Sequence, residues 1–477
     1  MECLLEAVSE TLQYIGVSVR NPYGLRIDRG RTYAVVGENG CGKTVLANIL
    51  ARGWNIGRNR ILGDKQSLRI KVVEFSDVHS LSGSRDSYYQ QRFEATMNDE
   101  VPTVDQLVEG RIPDELWNDL CDRLSLREIR RKRINYLSSG ELRKFLVVNM
   151  MADRPDLLIL DNPYIGLDAP SRAVLDSLLG ALAKEGMAVM LLLCNPKDIP
   201  AFTDYVVPMR KLELMPVQDV AVLGVEEVRR QAEELFPQRR VGDLPVTADK
   251  KEFETAFDLR DCTVRYGSTV ILRHVDWKVA KGECWALLGP NGSGKSTLLS
   301  MVCADNPQSY SNDIRIFDRK RGTGESIWDI KRHIGYISPE MHLYFREASD
   351  TLSVVASGLH DYAGLYRKPG AEDCERASRW MEAFGIAELA DRRFPALSSG
   401  EQRLVLLVRT LIKSPSLLIL DEPLHGLDMS RKLQVQEAIE RMVEESGATL
   451  VYVTHYMEEI PRCVSHVKRL EKIYNDN

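Results

Sequence analysis

Gly289-Pro290-Asn291-Gly292-Ser293-Gly294-Lys295-Ser296-Thr297 is the stretch on which the reading of this chain turns. An apolar run over 284–289 leads into it and an apolar-periodic run over 298–303 follows, so a glycine-rich turn joins a buried strand to a helix. Backbone N–H groups in such a turn, backed by a helix N-terminus, cradle phosphate oxygens. Lys295 places a cation at the β- and γ-phosphates, and the Ser296 hydroxyl suits a Mg²⁺ ligand. A glycine-rich turn without a ligand is the plain alternative, and the Lys-Ser pair in this strand–turn–helix setting argues against it.

A second copy, Gly37-Glu38-Asn39-Gly40-Cys41-Gly42-Lys43-Thr44, lies between an apolar run over 32–37 and a helical stretch over 45–51. Leu137-Ser138-Ser139-Gly140-Glu141 is echoed as Leu397-Ser398-Ser399-Gly400-Glu401. Each precedes an apolar-periodic stretch, which puts Ser138 and Ser398 near helix N-termini. The steps from Gly140 to Asp161 and from Gly400 to Asp421 are equal. So are those onward to Gly166-Leu167-Asp168 and Gly426-Leu427-Asp428. Residues 157–161 and 417–421 are short apolar runs ending in Asp, as in parallel strands covered on both faces, and 187–194 and 449–454 read as the next strands. Asp161 with Thr44, and Asp421 with Ser296, have the oxygen chemistry for Mg²⁺ beside a bound phosphate. A period this long is no solenoid, so the chain is a domain duplication.

The expected fold is α/β: two tandem P-loop NTPase domains, each a mainly parallel sheet with an inserted helical region, at about 100–136 and 350–395. The first domain spans 1–210, a connector 211–252, and the second domain 253–477. Pro216, Pro237 and Pro245 interrupt the connector, with one amphipathic helix expected over 225–236. The 477-residue length suits two cores, and 44% apolar with 28% charged residues is ordinary globular composition. A formal charge of −6 does not suggest general nucleic-acid binding. The nine cysteines include no CxxC pair, which argues for reduced thiols and against a zinc or iron–sulfur site. No apolar run approaches the ~20 residues that cross a bilayer, and Met1-Glu2-Cys3-Leu4-Leu5-Glu6 does not resemble a signal peptide. The expected location is cytoplasmic, peripheral to the inner membrane face if a separate permease is the partner.

The motif series resembles that of tandem ATP-binding cassette (ABC) proteins over nearly the whole chain. That resemblance implies ATP and Mg²⁺ as cofactors, with nucleotides sandwiched between cassettes paired head to tail. One site would combine Lys43, Thr44 and Asp161 with Ser398 and Gly400; the other would combine Lys295, Ser296 and Asp421 with Ser138 and Gly140. The signatures read LSSGE where the family has LSGGQ, with the serine and second glycine kept. Catalytic differences follow. Glu422, after Asp421, is placed to polarise a water, whereas Asn162, after Asp161, cannot take a proton. The family's switch histidine matches His455, and the same step from Asp161 reaches Asn195. The expectation is one working ATPase site, at Lys295, Asp421, Glu422 and His455, and one impaired site.

Other positions carry two readings. Tyr266 lies 23 residues before Gly289, where cassettes often stack an aromatic on adenine, and Tyr14 has the same offset from Gly37; core packing is the alternative for both. The family's Q-loop glutamine is missing, with Glu340 and Asp77 nearby. Cys41 offers a redox reading beside that of a small residue tolerated in a turn. The basic groups at Arg127, Arg130, Arg131, Lys132 and Arg133, and at Arg315, Arg319, Lys320, Arg321, Lys331 and Arg332, fit solvated faces, with contact to nucleic acid or an acidic partner as the alternative. The stretch from Gln308 to Tyr336 is similar to the ModF family of bacterial tandem cassettes, linked by name to molybdenum transport. It implies the ATPase component of a transporter. The alternative is a soluble protein acting on the ribosome or nucleic acid, or a nucleotide-dependent switch. Proteins of the ribosome-acting class usually carry a long charged arm between cassettes, and this connector is shorter.

Overall fold

Leu157-Leu158-Ile159-Leu160 has no polar side, and a strand of that kind is stable only with both faces of its sheet covered. In a computed structural model the run forms an interior strand of such a sheet, paired on both sides. The structure describes residues 2–54, 56–73, 102–124, 126–134, 137, 139–151, 153–165, 167, 169–247, 251–267, 269–290, 292–339, 341, 349–360 and 368–473. Asp77, Ser138, Gly166, Asp168, Asn291 and Glu340, singled out above, lie outside them.

Among the described residues the chain divides between 238 and 239 into two units, with 428–430 grouped with the first. In the first unit, the core strands are β1 (Thr32–Val36), β2 (Ile70–Val73), β3 (Leu157–Asp161), β4 (Ala188–Leu193) and β5 (Tyr205–Arg210). They pair in parallel in the order β2-β3-β4-β1-β5. Its helices include α1 (Lys43–Arg52), α2 (Ser139–Met151), α3 (Ala169–Lys184) and α4 (Val225–Glu233). The second unit has β6 (Cys284–Leu288), β7 (Ile334–Ile337), β8 (Leu417–Asp421), β9 (Thr449–Val453) and β10 (His466–Arg469). These pair in parallel as β7-β8-β9-β6-β10, the same topology. Its helices α5 (Lys295–Val302), α6 (Ser399–Leu411) and α7 (Met429–Ser446) correspond to α1, α2 and α3.

Side chains alternate between two cores on either face of each sheet. Leu157 and Ile159 enter one core of the first unit and Leu158 and Leu160 the other. Leu417 and Ile419 take one face in the second unit, Leu418 and Leu420 the opposite one. Each fully buried aliphatic side chain contributes about 1.5–3 kcal/mol, so the double coverage holds the strand ends in place. The first unit's inserted helical region holds helices at Val104–Val108 and Asp114–Leu124; the second's holds Thr351–Ala356 and Ala371–Ala383. An antiparallel hairpin, Thr255–Tyr266 with Thr269–Ala280, covers part of the second unit.

The segment between the cassettes is shared. α4 ends three residues short of the expected boundary, and Val228, Ala232, Leu235 and Phe236 are buried in the first unit. Val241 and Leu244 are buried in the second, and the Gly242 N–H donates to the Ala383 carbonyl at 2.8 Å. No helix among the described residues is long and apolar enough to cross a membrane. Leu418 is fully buried in β8. Leu418→Ala should therefore destabilise the second unit by about 2–5 kcal/mol. Chemical denaturation checks this, and an unshifted midpoint would contradict the double coverage of the sheet.

Candidate functional site

Parallel strands all send their C-terminal ends to one edge, where ligands of such sheets bind. At that edge of the first unit, residues 37–42 turn from β1 into α1. Gly42 sits at φ 106°, a conformation that side chains resist, and caps α1 without a side-chain bond. Lys43, buried in the first turn, donates from Nζ to the carbonyls of Gly37 at 2.7 Å and Glu38 at 2.8 Å. Thr44 Oγ1 donates to Asp161 Oδ2 at 2.6 Å. Burial raises the Asp161 carboxyl above the usual range against the lowering effects of Thr44 and Lys43.

The second unit repeats this frame. Gly294 at φ 88° caps α5, Lys295 Nζ donates to the carbonyls of Gly289 at 2.8 Å and Pro290 at 3.0 Å, and Ser296 Oγ donates to Asp421 Oδ2 at 3.0 Å. Thr297 continues the first turn of α5, and Gly292 and the buried Ser293 lie in the turn before it. A hydroxyl and a carboxylate joined in each unit form a hard-oxygen pair of the kind that Mg²⁺ accepts beside phosphate. Thr44 with Asp161 and Ser296 with Asp421 fit that role.

The units diverge one residue further on. Asn162 and Glu422 have nearly the same backbone: φ 50° and 49°, with N–H groups donating to Leu192 at 2.9 Å and Val453 at 3.0 Å. Asn162 turns its amide onto its neighbour, Nδ2 donating to Asp161 Oδ1 at 2.9 Å. Asn195 is committed elsewhere, accepting from the Lys197 N–H as cap of the turn Pro196–Asp198. Glu422 instead lies between two imidazoles. His455 Nε2 is 2.9 Å from Oε1, and His425 Nδ1 is 3.0 Å from Oε2. Burial works against the Glu422 charge, but the two histidines outweigh it and hold the carboxyl well below the usual range. His425 was not among the residues singled out from sequence. The available signal was a histidine three residues after Glu422, where the first half has Ile165.

Ser398 caps α6 in a capping box with Glu401: its Oγ donates to Oε2 at 2.7 Å and accepts from the Glu401 N–H at 3.4 Å. The glutamate of LSSGE thereby acquires a local role. Gly400 and Gly140 stand in the first turns of α6 and α2. Tyr266 packs against the second unit's core while its hydroxyl accepts from Asn306 Nδ2 at 3.0 Å, and Tyr14 packs against the first unit's core. Much of the basic charge is balanced locally: Arg127 by Asp122, Arg130 by Asp105, Lys132 by Glu141, Lys320 by Asp313, Arg321 by Glu325, and Lys331 by Asp305.

A family model described as ABC transporter matches residues 21–165 and 272–425. The chain is 35% identical to the ABC transporter ATP-binding protein ModF of Escherichia coli over 94% of its length and 92% of the relative's. An uncharacterized ABC transporter ATP-binding protein of Schizosaccharomyces pombe is 26% identical, covering 92% and 91%. Among solved structures, an RNase-L inhibitor aligns over 96% of this chain and 87% of that one, with TM-score 0.55 and 19% identity, a likeness of fold.

Cys41 is buried against Lys43, whose Nζ lies 3.8 Å from its sulfur, and burial pushes the thiol pKa up. A thiol with a raised pKa has little thiolate near neutrality and reacts slowly. Alkylation of the native protein at neutral pH, read by peptide mass spectrometry, should label exposed Cys3 before Cys41. Equal or faster labelling of Cys41 would restore its redox reading.

Proposed function

The chain belongs to the ABC transporter family of ATP-binding proteins, with two cassettes in tandem, and from that premise we propose that it is an ATPase with one competent site. The second unit hydrolyses ATP and the first holds nucleotide. The observation that carries this is Glu422, between His425 and His455, against Asn162, whose amide is spent on Asp161. A water aligned on the γ-phosphate gives up its proton as its oxygen bonds to phosphorus and ADP leaves. Glu422 has an oxygen to orient that water and accept the proton, a contribution of about 10²–10⁴-fold for a placed general base. The Asn162 amide can hold a water but cannot accept its proton.

We assign the glycine-rich loops at 37–44 and 289–297 to the phosphates, and Tyr266 to the adenine. Mg²⁺ would be held by Ser296 and Asp421, and by Thr44 and Asp161; bound there, it neutralises charge on the phosphate oxygens and leaving group. Ser138, Gly140, Ser398 and Gly400 are assigned to closure over nucleotides sandwiched between the cassettes, as in the family's head-to-tail pairing. We further propose a cytoplasmic protein serving a separate membrane permease, with a molybdate-related cargo. The 35% identity to a relative named as an ABC transporter ATP-binding protein supports this role.

Glu422→Gln should nearly abolish ATP turnover in a steady-state phosphate-release assay while nucleotide stays bound; unchanged turnover would sink the assignment. Lys43→Ala should weaken nucleotide binding, read by fluorescent-ATP titration, more than it lowers maximal turnover. Equal loss of both would mean that the first site shares in catalysis. Affinity purification from solubilised membranes should recover an integral membrane partner. Recovery of ribosomal particles instead would overturn the transport role and leave the ATPase assignment standing.

A further inference from the structure

We propose that His425 is a positioning residue of the hydrolytic site, holding the Glu422 carboxylate together with His455 in the orientation that aligns the attacking water. The proposal rests on the reading of Glu422 as the water-polarising group. Its own support is geometric. Glu422 leaves β8 at φ 49°, and the His425 N–H donates back to the Glu422 carbonyl at 3.0 Å, closing a turn. That turn brings His425 Nδ1 to 3.0 Å from Oε2, while His455, from the end of neighbouring β9, reaches Oε1 at 2.9 Å. One carboxylate oxygen is thus hydrogen-bonded by His425, and the other lies within ion-pair range of His455. Of the roughly four lone-pair sites on a carboxylate, about two remain for water.

The turn is also braced from behind. Arg403 of α6 donates from Nη1 to the His425 carbonyl. Gly426, at φ 75°, lies so close to that guanidinium that a Cβ there would come within 2.5 Å of Nη1. Rotation of the His425 backbone away from Glu422 is therefore opposed by the signature helix of its own unit. Both imidazoles are almost fully buried, with side-chain exposures of 8% and 7%, so the pair is shielded from competing water.

The first unit supplies an internal control. Its equivalent turn leaves β3 at φ 50° and closes with the Ile165 N–H donating to the Asn162 carbonyl at 3.4 Å. The fold makes this turn with an isoleucine where the second unit has His425, so folding does not require the imidazole. It occurs where there is a carboxylate to hold. Asn162, Ile165 and Asn195 stand where the second unit has Glu422, His425 and His455.

The test is steady-state ATP hydrolysis by the full chain. His425→Ile copies a residue already compatible with the turn; it should lower kcat about tenfold with the ATP KM within about twofold, as loss of a contact that orients the base requires. His425→Asn, whose Nδ2 can stand near the position of Nδ1, should recover most of that loss. In a Glu422→Gln background, adding His425→Ile should leave the residual rate unchanged, because the group being positioned is gone. Parental turnover in Glu422→Gln would break the underlying reading of Glu422. A dead Glu422→Gln with parental kcat in His425→Ile would overturn the positioning role alone. It would also fall if the Asn variant were as slow as the Ile variant, or if both backgrounds lost the same factor.

Discussion

Parallel pairing of three strands is the constraint on which each unit depends. In the first unit, β4 lies between β3 and β1, and in the second β9 lies between β8 and β6. Because the three run in one direction, the phosphate-loop turn, the strand-end aspartate and the residue equivalent to His455 emerge at one edge. The N–H groups of Asn162 and Glu422 are fixed to Leu192 and Val453 on the middle strands, and this aims whatever side chain follows the aspartate. Slipping that pairing by one residue would turn the aspartates to the opposite face of the sheet.

On this common frame the two units treat polar groups differently. Asp161 is partly buried and raised in pKa, and its oxygens take bonds from Thr44 and Asn162. Glu422 is partly buried too, but the imidazoles of His425 and His455 outweigh the effect of burial and hold its carboxyl below the usual range. A carboxylate held away from water is costly unless hydrogen-bond donors face it, so Glu422 depends on its neighbours. The first unit avoids that cost with an amide and has an isoleucine where the second imidazole would stand.

The duplication, the strand–turn–helix order around both loops, the Ser398 cap of α6 and the inserted helices were all legible in sequence. Each rests on local signals: apolar runs, glycines in a turn, and a serine three residues before a glutamate. The edges were less legible. α1 and α5 begin at the loop lysines themselves, earlier than apolar periodicity shows, because the left-handed Gly42 and Gly294 before them set the helix starts. Residues 225–244, within the connector read over 211–252, belong in part to each core, because Val228 and Leu235 are buried in one unit and Val241 and Leu244 in the other. Composition marks a proline-interrupted segment but does not say which apolar surface it covers.

By itself the sequence determined that this is a tandem cassette ATPase of the ABC family, that its two loops are equivalent in design, and that the first half has Asn162 and Asn195 where the second has Glu422 and His455. Those are matters of residue type at fixed spacing, and spacing survives without coordinates. Only the tertiary structure decided that His425 joins Glu422, that Asn195 is committed to capping a turn, and that Cys41 is shielded. These depend on where a left-handed turn and a neighbouring strand carry side chains in space, and a buried charge is stabilised by what lies within a few ångströms, whatever the distance along the chain.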